Sequence, residues 1–264
     1  VDLKLKNKNA LVLASSAGIG KAIAAGLYQE GVNVCMASRS DEKLRATHTE
    51  IFDKKNHSKL VFKTCDLGKK SDVENIVKFA QAELGSIDIL INNQGGPTPG
   101  SFSSITEEQV LEAINANLLS VLRATRLCLP EMERKGWGRI INILSISAKE
   151  PIPNLFLSNL IRPAILGMAK TIAQEKARAG VTINSLLPSA VLTDRSRLFV
   201  ETKAKTENKP FDEVLKEVAA NIPAGYLASP EEVAAAALFL CGESSTYING
   251  AAIALDGASS KSLF

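Results

Sequence analysis

The 264-residue sequence predicts an α/β fold, a doubly wound parallel sheet of about seven strands with helices on both faces, in a single domain spanning residues 1–264. Three observations carry this. Seven short, nearly continuous apolar runs rich in β-branched residues read as strands buried on both faces. Longer amphipathic segments alternate with them, and repeated strand–helix–strand order implies a parallel sheet. No Pro/Gly/Ser-rich linker divides the chain, and α/β folds of this length run as one unit.

The first run, residues 10–14, leads through Ser15-Ser16-Ala17-Gly18-Ile19-Gly20 into a helical segment. A strand that enters a Gly-bearing turn and then a helix start makes an anion site, because backbone N–H groups and the positive helix end point at one place. Gly18 and Gly20 allow close backbone approach there. The second run, 32–37, ends at Ser38-Arg39, and the third, 60–62, ends near Cys65-Asp66-Leu67. His48 and His57 flank the second helical region and read as surface residues. Ser71 with Glu74 has capping-box spacing, and Val73, Ile76, Val77, Ala80 and Leu84 share one helical face. The fourth run, 87–91, precedes Asn92-Asn93-Gln94-Gly95; Thr106 with Gln109 then starts another helix. The fifth, 140–144, ends at Ser145, and the sixth is 181–187. Residues 195–222 break the rhythm. They are charged, hold Lys203, Lys205, Lys209 and Lys216, follow a strand end, and read as an inserted lid whose lysines hint at acidic substrates. Ser229 with Glu232, and Pro230 at the first helical position, start a helix before the last run, 251–255.

Composition excludes several classes. Thirty-one basic against 28 acidic residues leave +3, too balanced for a nucleic-acid surface or a polybasic membrane anchor. Aromatics at 5% are too sparse for base-stacking platforms. Cys35, Cys65, Cys128 and Cys241 have neither metal-ligand nor redox spacing; they read as small buried hydrophobes in a reducing, cytoplasmic compartment, and no metal site is expected. No run of 18 apolar residues predicts a membrane span, and residues 1–9 lack the apolar core of a signal peptide.

These motifs, taken together and in order, resemble the short-chain dehydrogenase/reductase superfamily from about Lys8 to Gly257. Ala14 to Gly20 looks like its glycine turn, and Ser38-Arg39 like its 2′-phosphate-selecting position. Cys65-Asp66-Leu67 is similar to its adenine-contacting turn, and Asn92 to Gly95 to its N-N-A-G. Asn117-Leu-Leu-Ser matches its helix Asn, and Gly138 to Ser145 the strand ending in its catalytic Ser. Pro188 to Thr193, Pro230 to Val233, Phe239-Leu240 and Leu255-Asp256-Gly257 match later signatures. The likeness is greatest to 3-oxoacyl-acyl-carrier-protein reductase-like and sugar-dehydrogenase-like members. It implies a Rossmann-like fold and a nicotinamide dinucleotide held by Ala14, Ser16, Gly18, Ile19, Gly20, Arg39, Asp66, Leu67, Asn93, Gly95, Arg162 and Thr193. It also implies a homo-tetramer or homo-dimer. With Arg39 able to fork onto a 2′-phosphate and no acid at 38 or 39, NADP(H) is expected in preference to NAD(H).

The resemblance breaks at the proton-transfer pair. The family carries a Tyr and a Lys where this sequence has Ser158 and Arg162. A Ser hydroxyl titrates far above a Tyr, and an Arg stays protonated, so neither replaces its counterpart as it stands. Ala14 and Gln94 replace smaller residues, and Pro163 removes an intrahelical bond and is expected to kink the segment bearing Ser158 and Arg162. A water chain, Ser147, Lys149 or Tyr226 remain as alternative proton carriers. The expected catalytic set is Ser145, Asn117, Ser158 and Arg162. The expected function is an NADP(H)-dependent oxidoreductase that interconverts a small-molecule alcohol and a carbonyl; a nucleotide-binding sensor or scaffold without turnover, or a structural homologue binding no nucleotide, are the alternatives.

Overall fold

The computed structural model describes residues 2–263, and at Arg195 the backbone alone. Val1 and Phe264, the outermost residues of the predicted domain, lie outside the described residues. The chain runs β1 (Asn9–Val12), α1 (Gly18–Gln29), β2 (Asn33–Ser38), α2 (Asp41–Ile51), β3 (Leu60–Thr64), α3 (Lys70–Leu84), β4 (Ile89–Asn92), α4 (Glu107–Ala113), α5 (Ser120–Lys135), β5 (Gly138–Ile143), α6 (Phe156–Lys176), β6 (Val181–Pro188), α7 (Asp194–Glu207), α8 (Phe211–Ala219), α9 (Pro230–Cys241) and β7 (Ala252–Leu255). The seven strands form one parallel sheet in the order β3-β2-β1-β4-β5-β6-β7. It is the doubly wound, Rossmann-like sheet that the apolar runs predict.

Period-two alternation explains why those runs are apolar throughout. Ala10, Val12, Val34, Met36, Ile89, Ile91 and Ile141 point to one face, where Ile23 and Leu27 of α1 and Val233 and Leu240 of α9 cover them. Leu11, Cys35, Leu90, Ile140 and Ile183 point to the other, under Val73 and Ile76 of α3, Cys128 of α5 and Ala173 of α6. Each fully buried Leu or Ile contributes about 1.5–3 kcal/mol. All four cysteines are free and buried in this core. Burial pushes each thiol up to about 12.

Two local expectations change. Ser71 and Glu74 form no capping box, because α3 starts two residues earlier with Lys69 at its N-cap. His48 is half-buried rather than a surface residue. Its Nε2 lies 3.0 Å from the Leu60 carbonyl, and its ring stacks on Phe52 and meets the edge of Phe62. Pro163 lies inside α6, which continues through it, at an exposed position.

The charged stretch is a helical pair. Val200 and Ala204 of α7 pack on Val214 of α8, with Phe211, Leu215 and Val218 around them, as a cluster separate from the sheet core. Lys209 binds Glu217 and also pairs with Glu207 at 3.3 Å; Lys203 reaches Glu217 at 3.4 Å. The hint of acidic substrates from these lysines is therefore withdrawn for Lys203 and Lys209, whose charges are matched within the pair.

Candidate active site

The strand order reverses between β1 and β4, and open α/β sheets bind ligands at the carboxyl ends of the strands beside such a switch point. A cleft of about 790 Å³ opens there. Its floor is the turn after β1. Ser15, fully buried, donates Oγ–H to the Val12 carbonyl at 2.9 Å and accepts from the Ala37 N–H at 3.0 Å, tying the turn to β2. Ala14 then adopts φ +47°, a left-handed conformation, and Asn93 Nδ2 donates to its carbonyl at 3.1 Å. A Cβ on Gly20 would lie 2.4 Å from that carbonyl, so only glycine fits. Gly18, at φ +53°, abuts Thr193, the N-cap of α7. The first turn of α1 has neither a side-chain cap nor an acid, which leaves its N–H groups open to an anion.

Of the residues expected to hold a dinucleotide, Ala14, Ser16 and Gly95 line the cleft, as do Arg39, Asp66 and Leu67. Gly18, Ile19, Gly20, Asn93 and Thr193 do not line it. Gly18, Ile19 and Gly20 open α1, Asn93 and Thr193 brace the turn, and Ile19 packs into the α1–α9 core. Asp66 accepts from the Gly68 N–H at 3.0 Å, while its own N–H donates to Asp72 at 3.1 Å, which fixes the bend after β3. Lys43, which the sequence reading missed, lines the cleft beside Arg39 because Ser40 caps α2 and turns its first residues toward the opening. Among the described residues, neither cation has an ion-pair partner. Gln94 also lines the cleft, and its Nε2 is buried without a partner among the described residues. An open helix start, two unpaired cations and an orphaned amide donor suit a dinucleotide carrying a 2′-phosphate.

At the other end, Asn117 lies in a π-helical stretch, Ile114–Leu119, between α4 and α5. It is buried, lines the cleft, and donates Nδ2–H to the Ala113 carbonyl at 3.2 Å. Ser145 follows β5 and accepts from the Ser147 N–H at 3.2 Å. That turn aims the buried Ser147 at α6, where its Oγ lies 2.8 Å from the Ser158 Oγ. Arg162, one helical turn further along α6, donates Nε–H to the same Ser158 oxygen at 2.8 Å. Arg162 is 9% exposed, and burial pushes its guanidinium down to about 10. Its Nη1 has no partner among the described residues.

The fold thus joins Ser147, Ser158 and Arg162 in one chain of hydrogen bonds. Ser145, Ser158 and Arg162 do not line the open cleft; Leu157, next to Ser158, does. Two of the alternative proton carriers are placed elsewhere. Lys149 is exposed and donates to the Ala252 carbonyl at 3.0 Å. Tyr226 is exposed, donates to Glu232 at 2.9 Å, and borders a separate cleft of about 270 Å³. Ser147 alone joins Ser158, a contact between distant turns that no local pattern announces. Among the described residues, no three His, Cys, Asp or Glu side chains gather as a metal site, and no helix is long and apolar enough to cross a membrane.

Residues 13–259 match the protein family described as enoyl-(acyl carrier protein) reductase. The chain is 33% identical over 254 residues to the D-beta-hydroxybutyrate dehydrogenase of Cupriavidus necator, covering 96% of this chain and 98% of that one. It is 29% identical over 259 residues to the NADPH-dependent reductase BacG of Bacillus subtilis, covering 98% and 100%. Its structure is similar to that of L-sorbose reductase from Gluconobacter frateurii, solved with NADPH and L-sorbose, at a TM-score of 0.95, 28% identity and full coverage of both chains. With its seven-stranded sheet, its glycine turn and these relatives, the chain belongs to the short-chain dehydrogenase/reductase family of oxidoreductases.

Proposed function

We propose that this protein is an NADP(H)-dependent oxidoreductase that interconverts a small-molecule alcohol and a carbonyl through a variant proton-transfer site. The observation that carries the reading is the pair of unpaired cations, Arg39 and Lys43, lining a cleft that begins at an uncapped helix start. In this reading the N–H groups of the Ser16–Gly20 turn bind the pyrophosphate. Arg39 and Lys43 fork onto the 2′-phosphate, and Asp66 and Leu67 border the adenine. Bound NADPH supplies the hydride.

The chain's own residues handle the oxygen. Ser145 donates a hydrogen bond that orients the carbonyl. Ser158 gives its proton to the developing alkoxide, and Ser147, 2.8 Å away, replaces it. Arg162 stabilises the transient Ser158 oxyanion through its Nε–H, a charge-assisted contact at 2.8 Å. Asn117 holds a water that returns the proton from solvent. The α7–α8 pair closes over the substrate. The protein works in the cytoplasm as a homo-dimer or homo-tetramer.

Fluorescence titration with NADPH and NADH tests the cofactor half. At least tenfold tighter NADPH binding, lost in Arg39→Ser, is expected; equal binding of both would sink the assignment. The replacement of the family pair by Ser158 and Arg162 favours a second reading, a nucleotide-binding sensor without turnover. NADPH oxidation over a panel of carbonyls, abolished by Ser145→Ala, decides for the enzyme; binding without turnover decides for the sensor.

A further inference from the structure

Buried cations in proteins are normally matched by a carboxylate, because an unpaired one bears its full desolvation cost. Arg162 is buried, yet no carboxylate faces it from the described residues, and burial alone moves its proton affinity. The hydrogen-bond count around it is one-sided. Nε is engaged with Ser158, and Nη1 meets no acceptor among the described residues. Ser147 and Ser158 share one hydrogen bond, 2.8 Å long, which uses one of their two hydroxyl hydrogens. The other has no acceptor among the described residues. The cluster therefore offers a fixed guanidinium edge and one O–H, all donors, with one positive charge and nothing to receive them. Arg162 keeps 9% of its surface exposed, so the group is not sealed, and Leu157 beside Ser158 lines the cleft.

We infer that the Ser147–Ser158–Arg162 cluster is a carboxylate-binding site, and that the substrate carries an acid group close to the alcohol or carbonyl presented to Ser145. The second half rests on the oxidoreductase reading above; the first does not. A carboxylate fits because two parallel N–H donors from one guanidinium match its two oxygens, and its single charge balances one Arg. The hydroxyls of a cofactor ribose bring acceptors but no charge, and would leave the cation uncompensated. A phosphate would bring a second charge and a third oxygen to a site with one cation.

The test uses the whole protein, with sodium acetate as the probe and sodium chloride or inorganic phosphate at equal ionic strength as references. A ligand that binds only the folded state raises the melting temperature. Acetate is expected to raise it more than chloride, and the share of the rise that Arg162→Gln removes is expected to be larger for acetate than for phosphate, which also has the α1 start, Arg39 and Lys43 to bind. Calorimetric acetate affinity is expected to fall at least tenfold in Arg162→Gln and severalfold in Ser158→Ala. The second variant keeps the cation, should the first fold poorly by circular dichroism. NADPH affinity in both variants is expected to stay within about threefold of the parent. Acetate no better than chloride, an Arg162-dependent phosphate effect larger than the acetate one, or an acetate effect that survives both variants would each overturn the carboxylate site. So would a parallel loss of NADPH affinity in Arg162→Gln, which would assign Arg162 to the cofactor. Acetate binding that depends on Arg162 in a protein that binds no NADPH would uphold the site and remove the oxidoreductase reading instead.

Discussion

Arg162 donates to Ser158 across one turn of α6 at 2.8 Å, and this hydroxyl is the only partner among the described residues for a guanidinium that is 9% exposed. The arrangement is costly to the ligand-free fold. A proton affinity lowered to about 10 by burial corresponds to a penalty on the order of 3 kcal/mol at neutral pH. The unfolded chain holds this proton more tightly than the folded one from about pH 10 up to the ordinary guanidinium range. Stability from this group therefore rises with pH across that window, and the penalty is fully present below it. Arg162→Met is expected to melt about 5 °C higher at pH 7, with the gap to the parent narrowing above pH 10. Calorimetric melts of both proteins at pH 7, 9 and 10.5 measure this, and a variant no more stable than the parent would contradict it.

Ala14 holds φ +47° where a glycine would be unstrained. An L-residue in the left-handed region loses about 1–2 kcal/mol, partly offset by the extra freedom glycine has when unfolded. Ala14→Gly is expected to gain about 0.5–1 kcal/mol in urea unfolding. Gly20→Ala is expected to do the opposite, because its Cβ would lie 2.4 Å from the Ala14 carbonyl oxygen. The turn must open to admit it, and NADPH affinity should drop at least tenfold in the same preparation.

Lys43 and Arg39 share one end of the cleft. If both face the 2′-phosphate, Lys43→Ala weakens NADPH binding by about three- to tenfold and leaves NADH binding unchanged. A tenfold change is about 1.4 kcal/mol. The difference between the two cofactors should shrink as salt is raised, since both cations are exposed. Titrations of both cofactors at two ionic strengths distinguish this from a general loss of the site.

The four thiols titrate near 12 and are buried, so almost none is thiolate at pH 8. Labelling by a thiol reagent is expected to be at least a thousandfold slower than for a free cysteine, and to reach all four groups in denaturant. A rapidly labelled thiol in the native protein would show that the core near one of these positions opens.

The sheet was legible because its central strands are buried on both faces, which writes an unbroken apolar run such as Val34 to Ala37. The caps at Thr106 and Ser229 were legible because both halves of each box lie three residues apart. The same spacing misled at Ser71, where the bend fixed by Asp66 and Asp72 starts the helix earlier. His48 was misread because its partners, Phe62 and the Leu60 carbonyl, come from the following strand. The turn after β1 was legible from Gly18 and Gly20 because they stand between an apolar strand and a helix start. The Ser147–Ser158 contact was not, since it depends on how a turn after β5 meets a helix eleven residues on.

The α7–α8 pair has its own apolar centre and its own ion pairs, and it joins the body through β6 and residues 220–229. Its sequence is thus nearly free of the packing demands that bind every strand to its neighbours. Changes to the exposed Leu198 and Phe199 are expected to leave the sheet untouched. Under the proposal that this pair closes over the substrate, selection for a new substrate would have a part of the chain to work on that is separate from the glycine turn.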